Sequence, residues 1–250
     1  MAMNTDKNTY TVIFAAIMVV VVGSLLAFFA SGLKEKIDQN IRLEKQQNIL
    51  YAMGVNENEG EGSVNFVSTD RVSEEFSKYI KEQIIIEGEK ISQDDEAYLV
   101  DVKKEETLSK KGATRRLPLF IGEKDGEKSY ILPMHGKGLW DAIWGYVALD
   151  DNLTVQGVYF DHKAETPGLG ANIKQRYFMD DFAGESILDE TQYAGIRVAK
   201  GNNDPLNNIK DDNEVDALAG ATITGNGVSA MIKESLTLYK PYLETIRAKN

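Results

Sequence analysis

The chain has no cysteine. That excludes disulfides, thiolate-held iron–sulfur clusters and haem attached through a C-x-x-C-H motif. It has two histidines, His135 and His162, too few for a multi-histidine metal centre. It has no stripe of lysine and arginine interleaved with aromatics, and its formal net charge is −11. An acidic chain without a basic face is a poor partner for a phosphate backbone, so nucleic-acid binding is set aside. No internal repeat is visible, and no second long apolar run follows residue 33. If such a chain carries electrons, an organic cofactor has to hold them.

What is present begins with one long apolar run. Asn8 to Leu33 carries no charged side chain. A bilayer core of about 30 Å needs about 20 apolar residues. Residues 10–33 are therefore read as a single transmembrane helix after a short tail, 1–9. The competing reading is a cleaved signal peptide, because Ala27, Ala30, Ser31 and Gly32 offer small residues for cleavage. A signal peptide's apolar region is usually about 7 to 15 residues, shorter than this one. The flanking charges are Lys7 before the run and Lys34, Lys36, Arg42 and Lys45 after it. Counted literally, they place the large domain in the cytoplasm.

The rest divides into a helical stalk and linker, 34–62, and one domain, 63–250, of ordinary size. Val72, Phe76, Ile80 and Ile84 are spaced by four and predict a helix over 72–86. Residues 97–102, 117–121 and 129–134 read as short strands, and 192–198 as another. The charged stretch 103–116 reads as a solvated segment. Two β-rich runs, 144–149 and 154–160, flank Asp150-Asp151-Asn152 and predict a hairpin. Residues 201–214 read as a polar loop. Met231, Ile232, Ser235, Leu236 and Tyr239 recur at helical spacing and predict a helix over 228–239, which Pro241 should bend or end. Thr224 is a candidate N-cap for that helix, with Asn226 as its rival. The fold class is α+β, with a mainly antiparallel sheet and flanking helices.

Three segments carry candidate chemistry. Asp216-Ala217-Leu218-Ala219-Gly220-Ala221-Thr222 has the form D-x-x-x-G-A-T and lies just before the last helix. Gly220 and Ala221 let the backbone approach a bulky group. A helix start presents free N–H groups and a partial positive charge, which suit a phosphate. The second segment is His135-Gly136-Lys137-Gly138-Leu139-Trp140. Trp140 can lie against a flat ring, and Lys137 can stabilise an anion. The third is His162-Lys163-Ala164-Glu165-Thr166-Pro167-Gly168-Leu169-Gly170, where Thr166, Pro167 and Gly168 predict a turn after a strand. Leu169 can pack on a ring face, and Glu165 and Thr166 can hydrogen-bond polar edges. Each segment also has an ordinary reading. Small residues often precede helices, Trp140 and Leu139 can be core, and Glu165 can cap neighbouring backbone. His162 at a strand end is weakly informative.

The D-x-x-x-G-A-T segment resembles the site at which flavin transferases attach FMN to threonine through a phosphoester. Together the three segments resemble the C subunit of the sodium-translocating NADH:quinone oxidoreductase. Two of them are shared with the G subunit of the RNF electron-transport complex, while G-K-G-L-W and the greater length point to the former family. The resemblance implies an electron carrier of a respiratory complex, moving electrons from NADH to ubiquinone with Na⁺ export. It implies FMN joined to Thr222, with Thr224 the rival acceptor. Lys137, Gly138, Leu139, Trp140, Glu165, Thr166, Pro167, Gly168, Leu169, Gly220 and Ala221 would surround it. It implies the other components of the complex as partners, the B, D and E subunits above all, and a flavin transferase for maturation. It places the chain in the bacterial inner membrane with the domain on the periplasmic side, against the literal charge count. Ala219 stands where the family often has a hydroxyl residue. An RNF-type carrier and an anchored binding domain without covalent cofactor are the alternatives.

Overall fold

The computed structural model describes residues 8–60, 62–189, 192–202, 204 and 208–248. Most of the short tail, 1–7, and four residues of the polar loop, 203 and 205–207, lie outside the described residues. Contacts divide the chain into two units, Met1–Arg42 and Leu43–Asn250. The first unit is the exposed part of helix α1 (Asn8–Ala52), long and apolar enough to cross a membrane. Its apolar side chains, among them Val19, Val20, Leu26 and Phe28, are exposed along their length.

The second unit begins with the last turns of α1, where Ile49, Leu50 and Ala52 are fully buried. Then come α2 (Val72–Tyr79), β1 (Ile80–Glu87), β2 (Lys90–Gln93), α3 (Val102–Ser109), β3 (Arg116–Lys124), β4 (Glu127–Lys137), β5 (Ala142–Leu149) and β6 (Val155–His162). The six strands form one sheet in the order β2-β1-β3-β4-β5-β6, and every neighbouring pair is antiparallel. A short helix α4 (Arg176–Met179) follows, then four two-residue strands, β7 (Leu188–Asp189), β8 (Gln192–Tyr193), β9 (Arg197–Val198) and β10 (Glu214–Val215). The chain closes with α5 (Thr222–Arg247).

Helices cover both faces of the sheet. On one face a Cβ at Gly122 would meet the Met53 methyl at 2.8 Å, and one at Gly157 the Ala52 carbonyl at 2.7 Å. On the other a Cβ at Gly136 would meet Met231 of α5 at 2.7 Å. The alternation of strand side chains fixes this division, because Gly122 pairs with Ser129 of β4 and Gly136 lies an odd number of residues further along that strand. Met231, Ile232, Leu236, Tyr239 and Leu243 supply the buried stripe of α5. The Tyr239 hydroxyl donates to the Pro118 carbonyl at 2.7 Å, anchoring α5 to β3.

The hairpin 144–160 and the strands at 117–121 and 129–134 form as expected. Four expectations do not hold. The helix over 72–86 stops at Tyr79, and β1 begins at Ile80. The spacing of four suits a helix, but the β-branched run Ile84-Ile85-Ile86 pairs between β2 and β3 and prefers the pleated surface. Residues 97–102 hold one 3₁₀ turn, Ala97–Leu99, not a strand. The Glu96 N–H is held by the Asp94 carboxylate at 2.9 Å, which favours the turn. The charged stretch after 102 is mostly exposed, as expected of a solvated segment, and begins as helix α3, capped by the Asp101 carboxylate on Lys104 N–H at 3.0 Å. Residues 192–198 give two short strands, β8 and β9, because Gly195 turns the chain at φ 77°. Pro241 does not end α5, which runs on to Arg247. Proline inside a helix costs about 3 kcal/mol. Burial of Tyr239, Leu243 and Ile246 on both sides of it offsets that cost.

Candidate functional site

All three candidate segments meet at one end of the sheet. β4 and β5 pair until Lys137 faces Ala142, so residues 138–141 form the hairpin tip. Gly138 N–H donates to the Asp141 carbonyl at 2.9 Å and closes that tip. The loop after β6 leaves the same end, with Lys163 N–H donating to the Ala142 carbonyl at 2.9 Å. Helix α5 starts there too. A Cβ at Gly227 would overlap the Lys137 carbonyl, so the helix lies directly against the end of β4.

Glu165 ties the three together. It is 4 % exposed. One carboxylate oxygen accepts from Trp140 N–H of the hairpin tip at 2.9 Å. The other accepts from the Thr224 hydroxyl of α5 at 2.7 Å. A Cβ on Gly138 would come within 2.6 Å of the first oxygen, and one on Gly170 would overlap the second. Burial pushes the Glu165 carboxyl up, but the Thr224 hydroxyl and the N–H groups of Trp140, Asp141 and Leu139 outweigh it. They hold the carboxyl below the usual range, so it is ionised at neutral pH.

The same contacts decide the cap of α5. The helix begins at Thr222 with Ala221 in the N-cap position and no side-chain cap. Thr224 lies inside the first turn, 1 % exposed, and its hydroxyl bonds Glu165 rather than the helix. Neither Thr224 nor Asn226 is the N-cap. Gly220, at φ 66°, makes the turn into the helix, and a Cβ there would meet Leu169 at 2.7 Å.

Around this hub the surface is apolar. Leu139, Trp140, Leu169 and Ile223 are 44 %, 66 %, 42 % and 57 % exposed. Solvent-facing apolar side chains on three separate segments form a rim that a flat ring could cover. Thr222 is exposed beside Ile223. The Trp140 indole N–H donates to the Thr166 hydroxyl at 3.2 Å and fixes the ring's heading. Pro167 and Gly168 form the exposed outer turn, closed by Leu169 N–H on the Thr166 carbonyl at 3.1 Å. His162 Nδ1 accepts from Glu165 N–H at 3.2 Å.

A groove borders the rim at Trp140. It has a volume of about 420 Å³ and is lined by Lys103, Lys110, His135, Lys137, Trp140 and Met231. Lys137 stands exposed on it, and His135 Nδ1 lies 2.9 Å from Glu106 at its wall. Elsewhere in the domain, Asp216 lies close enough to Asp181 for its charge to act there. Burial, and then the Asp216 charge, push the Asp181 carboxyl up to about 6.

Sequence reasoning missed Ile223 and Gly227. The signal for Gly227 was there: two glycines, 225 and 227, in the first turns of a helix defy helix propensity and mark close backbone approach.

Residues 138–237 match the FMN-binding domain family. The match opens at the first residue of the hairpin tip and takes in every segment that touches Glu165. Over nearly the whole chain the similarity narrows. The chain is 30% identical over 244 residues to the C subunit of the Na(+)-translocating NADH-quinone reductase of Vibrio anguillarum, covering 91% of this chain and 90% of that one. This chain belongs to that C-subunit family. It is also 30% identical to the C subunit of Yersinia pestis, covering 98% of this chain and 95% of the relative. The crystal structure of the C subunit from Parabacteroides distasonis superimposes with a TM-score of 0.70 at 32% identity, covering 84% of this chain and 96% of that one. The solved relative shares the fold over 84% of this chain, and this chain also carries the long apolar N-terminal helix α1.

The residues present fit an FMN. An exposed threonine hydroxyl at a helix start suits a phosphate, whose oxygens would find the unpaired N–H groups of the first turn. The apolar rim suits an isoalloxazine. Gly138 leaves room for the Glu165 carboxylate, and Gly220 leaves room for Leu169.

Proposed function

We propose that this chain is an electron carrier of a membrane respiratory complex, holding FMN as a phosphoester on Thr222. The observation that carries the reading is the contrast between the two threonines. Thr222 is exposed at the first residue of α5, while Thr224 is buried and its hydroxyl is engaged. A transferase can reach only the first. Attachment replaces the Thr222 O–H by an O–P bond as the hydroxyl loses its proton and the donor's phosphate link breaks.

When bound, FMN supplies reversible electron uptake and release. The chain's own residues do the rest. Trp140, Leu139, Leu169 and Ile223 seat the ring and exclude water from one face. The N-terminal N–H groups of α5 neutralise the phosphate. Lys137 and Lys103 bring positive charge near the seat, which favours uptake of an electron. The seat is built from loops at the surface, so a ring edge stays open to a redox partner. The family's printed names support partners within an NADH-quinone reductase complex. The B, D and E subunits are the expected neighbours, with coupling to Na⁺ export a property of the whole assembly. A lone helix with no ionisable residue between Asn8 and Leu33 offers no ion path of its own. Residues 10–33 anchor the domain, 63–250, in the inner membrane through the stalk and linker, 34–62. The domain faces the periplasm, where long translocated segments escape the charge rule.

The test is co-expression with a flavin transferase, followed by denaturing electrophoresis and in-gel flavin fluorescence. The wild type and Thr224→Ala should fluoresce, and Thr222→Ala should be dark. Fluorescence that survives Thr222→Ala and vanishes in Thr224→Ala moves the attachment point. A reporter fused after Asn250 should be active only outside the cytoplasm, and cytoplasmic activity reverses the orientation.

A further inference from the structure

We infer that Glu165 is a positioning residue for the flavin, a fixed buried negative charge that locks the Trp140 wall to the tether helix and lowers the flavin's reduction potential. The inference rests on the reading that FMN sits on Thr222.

The geometry is unusual for a surface loop. Glu165 is as buried as a core residue, yet it lies among the most exposed apolar side chains of the domain. A buried carboxylate is costly unless its lone pairs are filled. Here the filling comes from both sides of the rim. One oxygen takes the N–H of Trp140, whose ring is the seat's largest exposed face. The other takes the hydroxyl of Thr224, two residues beyond the tether point. Two of the three elements that would touch the ring are therefore joined through a single carboxylate. The third element, the 165–170 loop, carries that carboxylate itself. Glycines at 138 and 170 leave the room it needs, since a side chain at either would displace it. The N-terminus of α5 adds a favourable dipole.

Both oxygens are engaged internally, so Glu165 acts through Trp140 and Thr224 and not by its own contact with the ring. Its charge still reaches the seat, because it is screened by protein and not by water. Reduction adds negative charge to a flavin. A fixed anion beneath the seat opposes that and makes the potential more negative, while Lys137 and Lys103 act the other way.

A glutamine can keep the geometry without the charge. Its oxygen accepts from Trp140 N–H, and its NH₂ donates to Thr224 Oγ. An alanine keeps neither. The test uses the full chain made with and without the transferase, in a Trp144→Phe background so that Trp140 alone emits. Three readouts are taken: in-gel flavin fluorescence, the midpoint potential of the attached flavin, and Trp140 emission of the flavin-free chain. Glu165→Gln should keep the attached flavin and the Trp140 emission while its potential moves to a more positive value. Glu165→Ala should lose attachment by about tenfold and shift Trp140 emission toward that of a free indole. A Glu165→Gln potential equal to that of the wild type overturns the charge role. Loss of flavin in Glu165→Gln overturns it as well, since the neutral isostere should preserve the seat. Full attachment with unchanged emission in Glu165→Ala overturns the positioning role. A dark wild type, or a fluorescent Thr222→Ala, is a different failure, that of the tether itself.

Discussion

Helix α5 does two jobs in its two halves. From Val228 onward it is a core helix, with Met231, Ile232, Leu236, Tyr239 and Leu243 almost fully buried against the sheet. From Thr222 to Gly227 it belongs to the candidate site. It has no side-chain cap, it contains two glycines, its one buried hydroxyl is turned to another loop, and Thr222 and Ile223 stand in solvent. The second half follows the rule that stability comes from burying one apolar stripe. The first half breaks local helix rules at three of its six residues, and each breach has a partner elsewhere in the fold. Gly225 clears Val198, Gly227 clears the Lys137 carbonyl, and Thr224 meets Glu165. A site built in this way leans on packing contributed by the other half.

That division can be broken by substitution. Leu243→Ala, at a fully buried position, should cost about 2 to 5 kcal/mol in unfolding of the full chain, yet leave the potential of the attached flavin unchanged. A shifted potential would mean the halves are not separate. Gly227→Ala should cost about 1 to 3 kcal/mol, because the new methyl meets backbone that cannot rotate away. It should also weaken flavin attachment, since it pries α5 off the end of β4. Tyr239→Phe should cost about 1 kcal/mol by leaving the Pro118 carbonyl without its donor, again with the flavin unaffected. Trp140→Ala is the mirror case. At 66 % exposure its effect on unfolding should stay within about 0.5 kcal/mol, while the flavin's absorption and potential change.

The two halves also differ in how far the sequence disclosed them. The buried stripe of α5 is visible as spacing, because burial on one face is a local pattern. The hairpin of β5 and β6 is visible for the same reason, with Asp150 and Asn152 marking the turn and strands alternating around it. The start of α5 was not visible. Thr224 looks like an N-cap by its neighbours, and only a carboxylate 59 residues away reassigns it. Pro241 misleads in the same manner, since its local cost is offset by burial that the adjacent residues do not report. The division of 72–86 into helix and strand is harder still, because isoleucines four apart satisfy either period until the pairing partners are known. The residue types of the candidate site were singled out through their resemblance to a family, and the fold brings their segments together. That the Glu165 carboxylate is engaged internally, by Trp140 N–H and the Thr224 hydroxyl, was legible only from coordinates.

The most direct measurement is the intact mass of the denatured chain, made with a flavin transferase, beside that of Thr222→Ala. The account predicts one adduct of about 438 Da on the first, the mass of FMN less water, and none on the second. An unmodified wild-type chain, or an adduct that persists without the Thr222 hydroxyl, would contradict it.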